Sequence, residues 1–155
     1  MNEENTICDY ALSLLSQRSY TIAQVKEKLL TRFPEYEPLI EKTLFELKEK
    51  KLLDDKKFAI QWLEYRISTA PRSEFLLKYE LKQKGILKED IEEALEELGL
   101  DDLALAKQAA ENKKLSLVNL TPKKQQEKIM AFLKSRGFSW EVIKSVSENL
   151  TSTRL

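Results

Sequence analysis

Histidine is absent from the 155 residues, cysteine occurs once (Cys8), glycine three times and proline four times. Without histidine there is no Ser-His or Cys-His nucleophile pair, no imidazole acid or base, and no His-ligated zinc. A single thiol forms neither an internal disulfide nor a thiolate metal cluster, which points to a reducing cytosol. Three glycines cannot build a phosphate-cradling loop, and no G-x-G-x-x-G or G-x-x-x-x-G-K-[ST] pattern occurs. The start of the chain, MNEENTICDY, is acidic and polar where a signal peptide is basic and then apolar. No apolar run approaches the roughly 20 residues that a spanning helix needs. These absences lead to the expectation of a cytoplasmic protein that is not an enzyme, carries no cofactor or metal, and does not touch membranes.

What remains is abundant Leu, Lys, Glu and Ala, the residues that favour helix, with 34% of positions charged and 42% hydrophobic. Apolar residues recur at helical spacing from one end to the other. Ile7, Ala11 and Leu14 share a face, as do Val25 and Leu29, Ile40, Leu44 and Leu47, Phe58, Trp62 and Tyr65, Leu77 and Leu81, and Ile91, Leu95 and Leu98. The pattern closes with Leu105 and Ala109, Ile129 and Leu133, and Ile143 and Val146. Nine helices are expected, and no strand. Ser19 or Thr21, Asp54, Ser73, Asp101, Thr121 before Pro122, and Ser139 are residues of the kind that cap helix starts. Gly85, Gly99 and Gly137 stand where helices should end, Pro34 and Pro71 mark turns, and residues 112–120 read as a loop.

The spacing repeats. KQKGILKEDIEEALEEL (82–98) lies over KSRGFSWEVIKSVSENL (134–150) at a constant offset of 52, which superposes Gly85 on Gly137 and Ile91 on Ile143. The first third fits at an offset of 51 to 52, and Asp54-Asp55 matches Asp101-Asp102 at 47. Chance coincidence explains matched leucines but not matched K-x-(K/R)-G endings or repeated Asp-Asp starts. The expected architecture is all-α: three tandem three-helix repeats, at residues 1–50, 51–99 and 100–155, forming an elongated, curved, solenoid-like protein. Both Asp-Asp pairs are expected as helix caps and not as catalytic or metal-binding carboxylates. Trp62, Tyr65, Tyr79 and Trp140 are expected in the core or between repeats, and Cys8 as a small buried apolar residue.

The ordered motifs carry a resemblance. The segment LLDDKKFA (52–59), then Arg66, then LKYELKQKGI (77–86) resembles the middle repeat of the RecX family, which has an LDD-x-x-F-A helix start, a downstream Arg and an I-x-x-E-L-x-x-K-G-I helix end. Ala11, Leu12, Leu14, Leu15, Arg18 and Ser19, followed by Val25, Lys28 and Leu29, are similar to the family's opening, and Arg136-Gly137-Phe138 to its R-G-(F/Y) element. The likeness covers roughly residues 8–150. One departure is the turn Ser68-Thr69-Ala70-Pro71-Arg72-Ser73, where the family usually has a Gly-rich turn; here Pro71 biases Ala70 toward extended backbone. The resemblance implies a regulator of DNA repair, recombination and the SOS response. It would bind the RecA recombinase filament on DNA and inhibit strand exchange, ATP turnover and co-protease activity. A monomer with weak contacts to DNA phosphates is the form expected.

Net charge is zero, but residues 1–50, 51–100 and 101–155 carry −2, −2 and +4. Lys123, Lys124 and Lys128 begin one helix of the basic last third, with the latter two on one face. They are either a solvated surface or a contact for an anionic partner. In the middle repeat Arg66, Arg72, Lys78 and Lys82 line one side of two helices. Arg66 matches the family's arginine and is the first candidate for a partner contact through its two-pronged guanidinium. The alternative for Arg66 is an intramolecular pair with Glu64, Glu74 or an acid of the neighbouring helix. Two other functions stay open: a nucleic-acid-binding protein, against which the acidic or mixed helices at 88–98 and 139–149 weigh, and a helical scaffold for an unrelated protein.

Overall fold

The computed structural model describes residues 2–152. Among them are nine α-helices, one 3-10 turn and no strand, as the periodicity predicts. The helices are α1 (Glu3–Gln17), α2 (Ile22–Arg32), α3 (Glu37–Glu49), α4 (Asp55–Thr69), α5 (Glu74–Gln83), α6 (Lys88–Leu98), α7 (Asp102–Lys114), α8 (Pro122–Ser135) and α9 (Trp140–Ser152). None of them is long and apolar enough to cross a membrane.

The described chain forms two compact units. The first takes the chain up to Gln61 together with Leu81–Leu95; the second takes Trp62–Glu80 and the chain from Glu96 onward. In the first, α1, α2 and α3 close over Ile7, Ala11, Val25, Leu29, Ile40, Leu44, Leu47 and Leu53. In the second, α7, α8 and α9 close over Leu105, Ala109, Ile129, Leu133, Phe138 and Ile143, among others. Burial of side chains of this size supplies the main driving force, at about 1.5–3 kcal/mol each.

Helix starts follow local chemistry. Thr21 accepts from the Gln24 amide while its own amide donates to the Gln24 side chain, a complete capping box. Asp54, Ser73, Asp101, Thr121 and Ser139 each accept an amide hydrogen bond two or three residues on. The loop expected at 112–120 is shorter: α7 continues to Lys114 and a 3-10 turn covers Leu115–Leu117. Nothing in Asn112-Lys113-Lys114 breaks a helix. Beyond it, the Gln125 side-chain amide donates to the carbonyls of Leu117 (2.9 Å) and Leu120 (3.1 Å), tying the turn to α8.

Each unit contains one copy of the same long-range junction. In the first, the Ile22 amide at the start of α2 donates to Asp55 Oδ1 at 2.9 Å, and the Thr21 hydroxyl donates to the Lys84 carbonyl at 2.8 Å. In the second, the Glu74 amide at the start of α5 donates to Asp102 Oδ1 at 2.9 Å, and the Ser73 amide donates to the Arg136 carbonyl at 3.0 Å. The offset of 52 that relates Thr21 to Ser73 also relates Lys84 to Arg136. So in each Asp-Asp pair the first residue caps its own helix, while the second caps a helix about thirty residues away, whose first amides have no acceptor within that helix.

The aromatic expectations need correction. Tyr65, Tyr79 and Trp140 are exposed, and Trp62 is half-buried. On α4 the buried ridge is Asp55, Ala59 and Leu63, and on α5 it is Leu77 and Leu81; Tyr65 and Tyr79 stand two residues off these ridges, across the helix. Trp140 opens α9 ahead of its apolar stripe. Cys8, next to buried Ile7, is half-buried.

Two predictions follow from the junction. A Cβ on Gly85, whose φ is +81°, would lie 2.3 Å from that of Ala23, whereas Gly99, at φ +57°, faces open space. Gly85→Ala should therefore cost about 3 kcal/mol, overpacking added to backbone strain, and Gly99→Ala about 1 kcal/mol, as read from urea unfolding midpoints. The second concerns Asp55. Burial raises its carboxyl above the ordinary 3.8; the Ile22 hydrogen bond opposes this, and Asp90 and Asp54 add repulsion. A carboxyl raised in the folded state binds protons more tightly there, so its stabilising effect is full below 3.8 and is lost as pH rises through the folded value. Asp55→Asn keeps an acceptor for Ile22 and should equal or exceed the wild type at neutral pH. That advantage should shrink on acidification toward 3.8. Asp55→Ala should cost about 1–2 kcal/mol at neutral pH.

A candidate partner-binding surface built on arginines

The second unit gathers three guanidinium groups around one carboxylate. Arg66 lies in the last turn of α4, Arg72 in the glycine-free turn between α4 and α5, Glu80 on α5, and Arg136 at the end of α8. The backbone holding them is well tied. Gln108 of α7 donates its side-chain amide to the Ile67 carbonyl at 3.2 Å, and the Arg136 carbonyl accepts the Ser73 amide. A Cβ on the next residue, Gly137, would meet Ser73 Oγ at 2.5 Å, so the close approach that places Arg136 here needs glycine.

Arg72 is buried. Its Nη1 donates to Glu80 Oε1 and its Nε to the Ala70 carbonyl at 3.1 Å, the latter closing the turn before α5. Arg66 Nε stands 3.7 Å from Glu80 Oε2, close enough for charge attraction but beyond hydrogen-bond length. Both atoms are buried without a hydrogen-bond partner. The Arg66 side chain nonetheless keeps 34% of its surface exposed, and its guanidinium lies 5.2 Å over the Trp62 ring. For Arg66 the intramolecular pairing is therefore with Glu80 of the neighbouring helix, and not with Glu64 or Glu74.

Arg136 is the residue that sequence reasoning did not place in the site. Its guanidinium lies 4.9 Å from the Phe132 ring, and Lys113 Nζ reaches the same ring at 5.2 Å. Its proton affinity is lowered first by burial and then by repulsion from Arg72 and Arg66, with Glu80 opposing. Arginine stays charged in proteins, so the lowering reflects a partly buried cation with two others near it rather than a proton lost. One glutamate does not neutralise three arginines, and such a surplus favours carboxylates or phosphates. The signal available in the sequence was the offset of 52, which pairs Arg136-Gly137 with Lys84-Gly85.

The other candidates are spread out. Lys78 forms an i,i+4 pair with Glu74 at 3.5 Å. Lys82 is exposed on the part of α5 that belongs to the first unit. Lys123, Lys124 and Lys128 are exposed along the first turns of α8 and have no ion pair among the described residues.

Residues 54–95 match the family model for the second three-helix domain of RecX, and residues 101–146 match that for the third. The regulatory protein RecX of Chlorobaculum tepidum is 35% identical over 142 residues, covering 92% of this chain and 86% of that one. Its counterpart from Chlorobium limicola is 30% identical over 152 residues, covering 98% and 94%. Among solved structures, RecX from Lactobacillus salivarius superposes with a TM-score of 0.80 at 24% identity, covering 96% of this chain and 97% of the other, a likeness of fold.

Arg72 and Arg66 should separate cleanly by mutation. Removing buried Arg72 leaves Glu80 without its hydrogen-bonded cation, so Arg72→Ala should cost about 2–3 kcal/mol. Arg66→Ala, at a more exposed and longer pair, should cost less than about 1 kcal/mol. Denaturant midpoints of the two variants, measured side by side, check both values.

Proposed function

The chain belongs to the RecX family of regulatory proteins, and from that premise we propose that it binds the RecA recombinase filament on DNA and inhibits its activities. The observation that carries the reading is the 35% identity to a regulatory RecX protein across 92% of the chain. Regulation in this reading works by occupancy. The protein docks on the filament as a cytoplasmic monomer without a cofactor, and it slows the filament's ATP turnover and strand exchange in DNA repair and recombination. The three repeats, at 1–50, 51–99 and 100–155, are the proposed building blocks of the docking surface.

Arg66 is the proposed centre of contact. Its guanidinium is held by Trp62 and Glu80 yet a third exposed, so it loses little entropy on meeting an anionic group of the partner. Arg72 supports it from beneath by holding Glu80. Lys78, Lys82, Lys123, Lys124 and Lys128 are proposed as outlying cations whose effect is mainly on association rate and salt dependence.

The test is RecA ATP hydrolysis on single-stranded DNA, with the recombinase from the same organism. Wild-type protein should inhibit at about micromolar concentration or below, the range of specific but reversible contacts. Arg66→Glu should weaken inhibition about tenfold with little change in unfolding midpoint, as loss of one charge-assisted contact does. Charge reversal at buried Arg72 would measure stability instead. Absence of inhibition by the folded wild type sinks the functional reading; undiminished inhibition by Arg66→Glu sinks the site alone.

A further inference from the structure

A groove of about 390 Å3 opens in the first unit against α2, α3 and the start of α6. Ala23 and buried Leu44 line it, and two large apolar side chains stand exposed on it, Phe45 at 64% and Leu87 at 63%. Local chemistry asks for neither. Leu87 occupies the cap position of α6, its carbonyl accepting the Ile91 amide at 3.1 Å, and leucine is a poor cap because its side chain offers no acceptor. At the offset of 52 its equivalent is Ser139, which accepts the Val142 amide at the start of α9. Phe45 corresponds to Glu97 and Asp90 to Val142 at the same offset, so the repeat is built without these side chains. Charge in the groove is unevenly settled. Lys26 pairs with Glu41 at 2.5 Å, which leaves Lys48 facing Asp55 and Asp90. Asp55 is committed to the Ile22 amide. Asp90 makes no ion pair among the described residues. Burial and then repulsion from Glu93 raise its carboxyl above the ordinary 3.8, with Lys48 opposing.

We infer that this groove docks a basic, apolar segment of the recombinase, with a large apolar side chain against Phe45 and Leu87 and a neighbouring lysine or arginine on Asp90. The inference rests on the reading that the chain binds the recombinase filament, and it adds a contact of opposite charge to that of Arg66. An exposed aromatic ring and an exposed leucine at one cavity are the kind of pair that carries binding energy once water is excluded. Charge decides among the occupants. Asp55 and Asp90 outnumber the unpaired Lys48, and Asp54, Glu89 and Glu93 add their repulsion at Asp90. Nucleic acid and acidic peptides are repelled there, and a wholly apolar partner would bury Asp90 without a counter-charge. A segment with an apolar side chain next to a cation satisfies both halves of the groove.

Co-sedimentation of the full chain with RecA filaments on single-stranded DNA, using the recombinase from the same organism, tests it. Leu87→Ser should weaken binding at least about tenfold, as loss of a central apolar contact does. Its urea midpoint should hold or rise, because serine restores a cap to α6, so unfolding cannot account for the loss. Phe45→Ser should weaken binding similarly at a nearly unchanged midpoint, and Asp90→Asn several-fold. In a second arm, overlapping peptides covering the recombinase are offered to wild type and to Leu87→Ser. Those held by wild type and released by the variant should carry a large apolar residue beside a lysine or arginine. Undiminished filament binding by the folded variants overturns the inference alone, as do retained peptides that lack a basic residue. Wild type that fails to bind the filament sinks the functional reading and this inference with it. A wild-type mass that rises with concentration, and stays monomeric in Leu87→Ser, assigns the groove to a second copy and overturns the inference too.

Discussion

An aspartate that caps someone else's helix is the interaction on which the rest of the molecule depends. Helices begin with amide groups that have no partner within the helix, and burying such an end without an acceptor is costly. Asp55 and Asp102 solve this for α2 and α5, each reaching a helix start that lies 33 and 28 residues earlier in the chain. A glycine-ended helix then closes on the same place, through the carbonyls of Lys84 and Arg136. Three segments of the chain thus meet at one point twice over, and the apolar faces of the helices are aligned as a consequence. Each bond reaches back over 33 or 28 residues, less than the 47 to 52 residues by which the motifs repeat.

Electrical neutrality of the whole chain conceals how unevenly it is achieved. The arginine that the structure buries is paired with a carboxylate: Arg72 with Glu80. Where it exposes arginine, it uses aromatic faces as much as carboxylates, as with Arg66 on Trp62, Arg136 on Phe132, Arg18 on Tyr20 and Arg32 on Tyr10. A ring orders a guanidinium without cancelling its charge, which a carboxylate cannot do. Positive charge is therefore both positioned and left available for an anion.

What could be read in advance followed from local chemistry. The caps Thr21, Asp54, Ser73, Asp101, Thr121 and Ser139 act within three residues, and all are visible in the sequence and found in place. Spacing alone placed the buried ridges of the other helices but not that of α4, where it pointed to Phe58, Trp62 and Tyr65 and the structure buries Asp55, Ala59 and Leu63. The second aspartate of each pair could be assigned to capping, but not to the helix it caps, because that partner is chosen by tertiary packing. Arg136 and the groove at Phe45, Leu87 and Asp90 escaped for the same reason: each depends on side chains brought together from separate helices. The exposed tyrosines show the opposite error, where aromatic character was allowed to outweigh a position two residues off the buried ridge.

The junction also explains how a structural repeat can carry a changing surface. The residue before the glycine is fixed twice, at Lys84 and Arg136, because its carbonyl receives the hydrogen bond from the neighbouring helix start. That bond uses only main-chain atoms of the residue and so places no demand on its side chain. In the first unit the position holds a lysine, whose Nζ lies 6.0 Å from the Phe58 ring; in the second it holds an arginine, set beside Phe132 and within repulsive range of Arg66 and Arg72. One backbone contact therefore delivers a side chain to a defined place in both copies, while its chemistry is left to be set by the partner each copy meets.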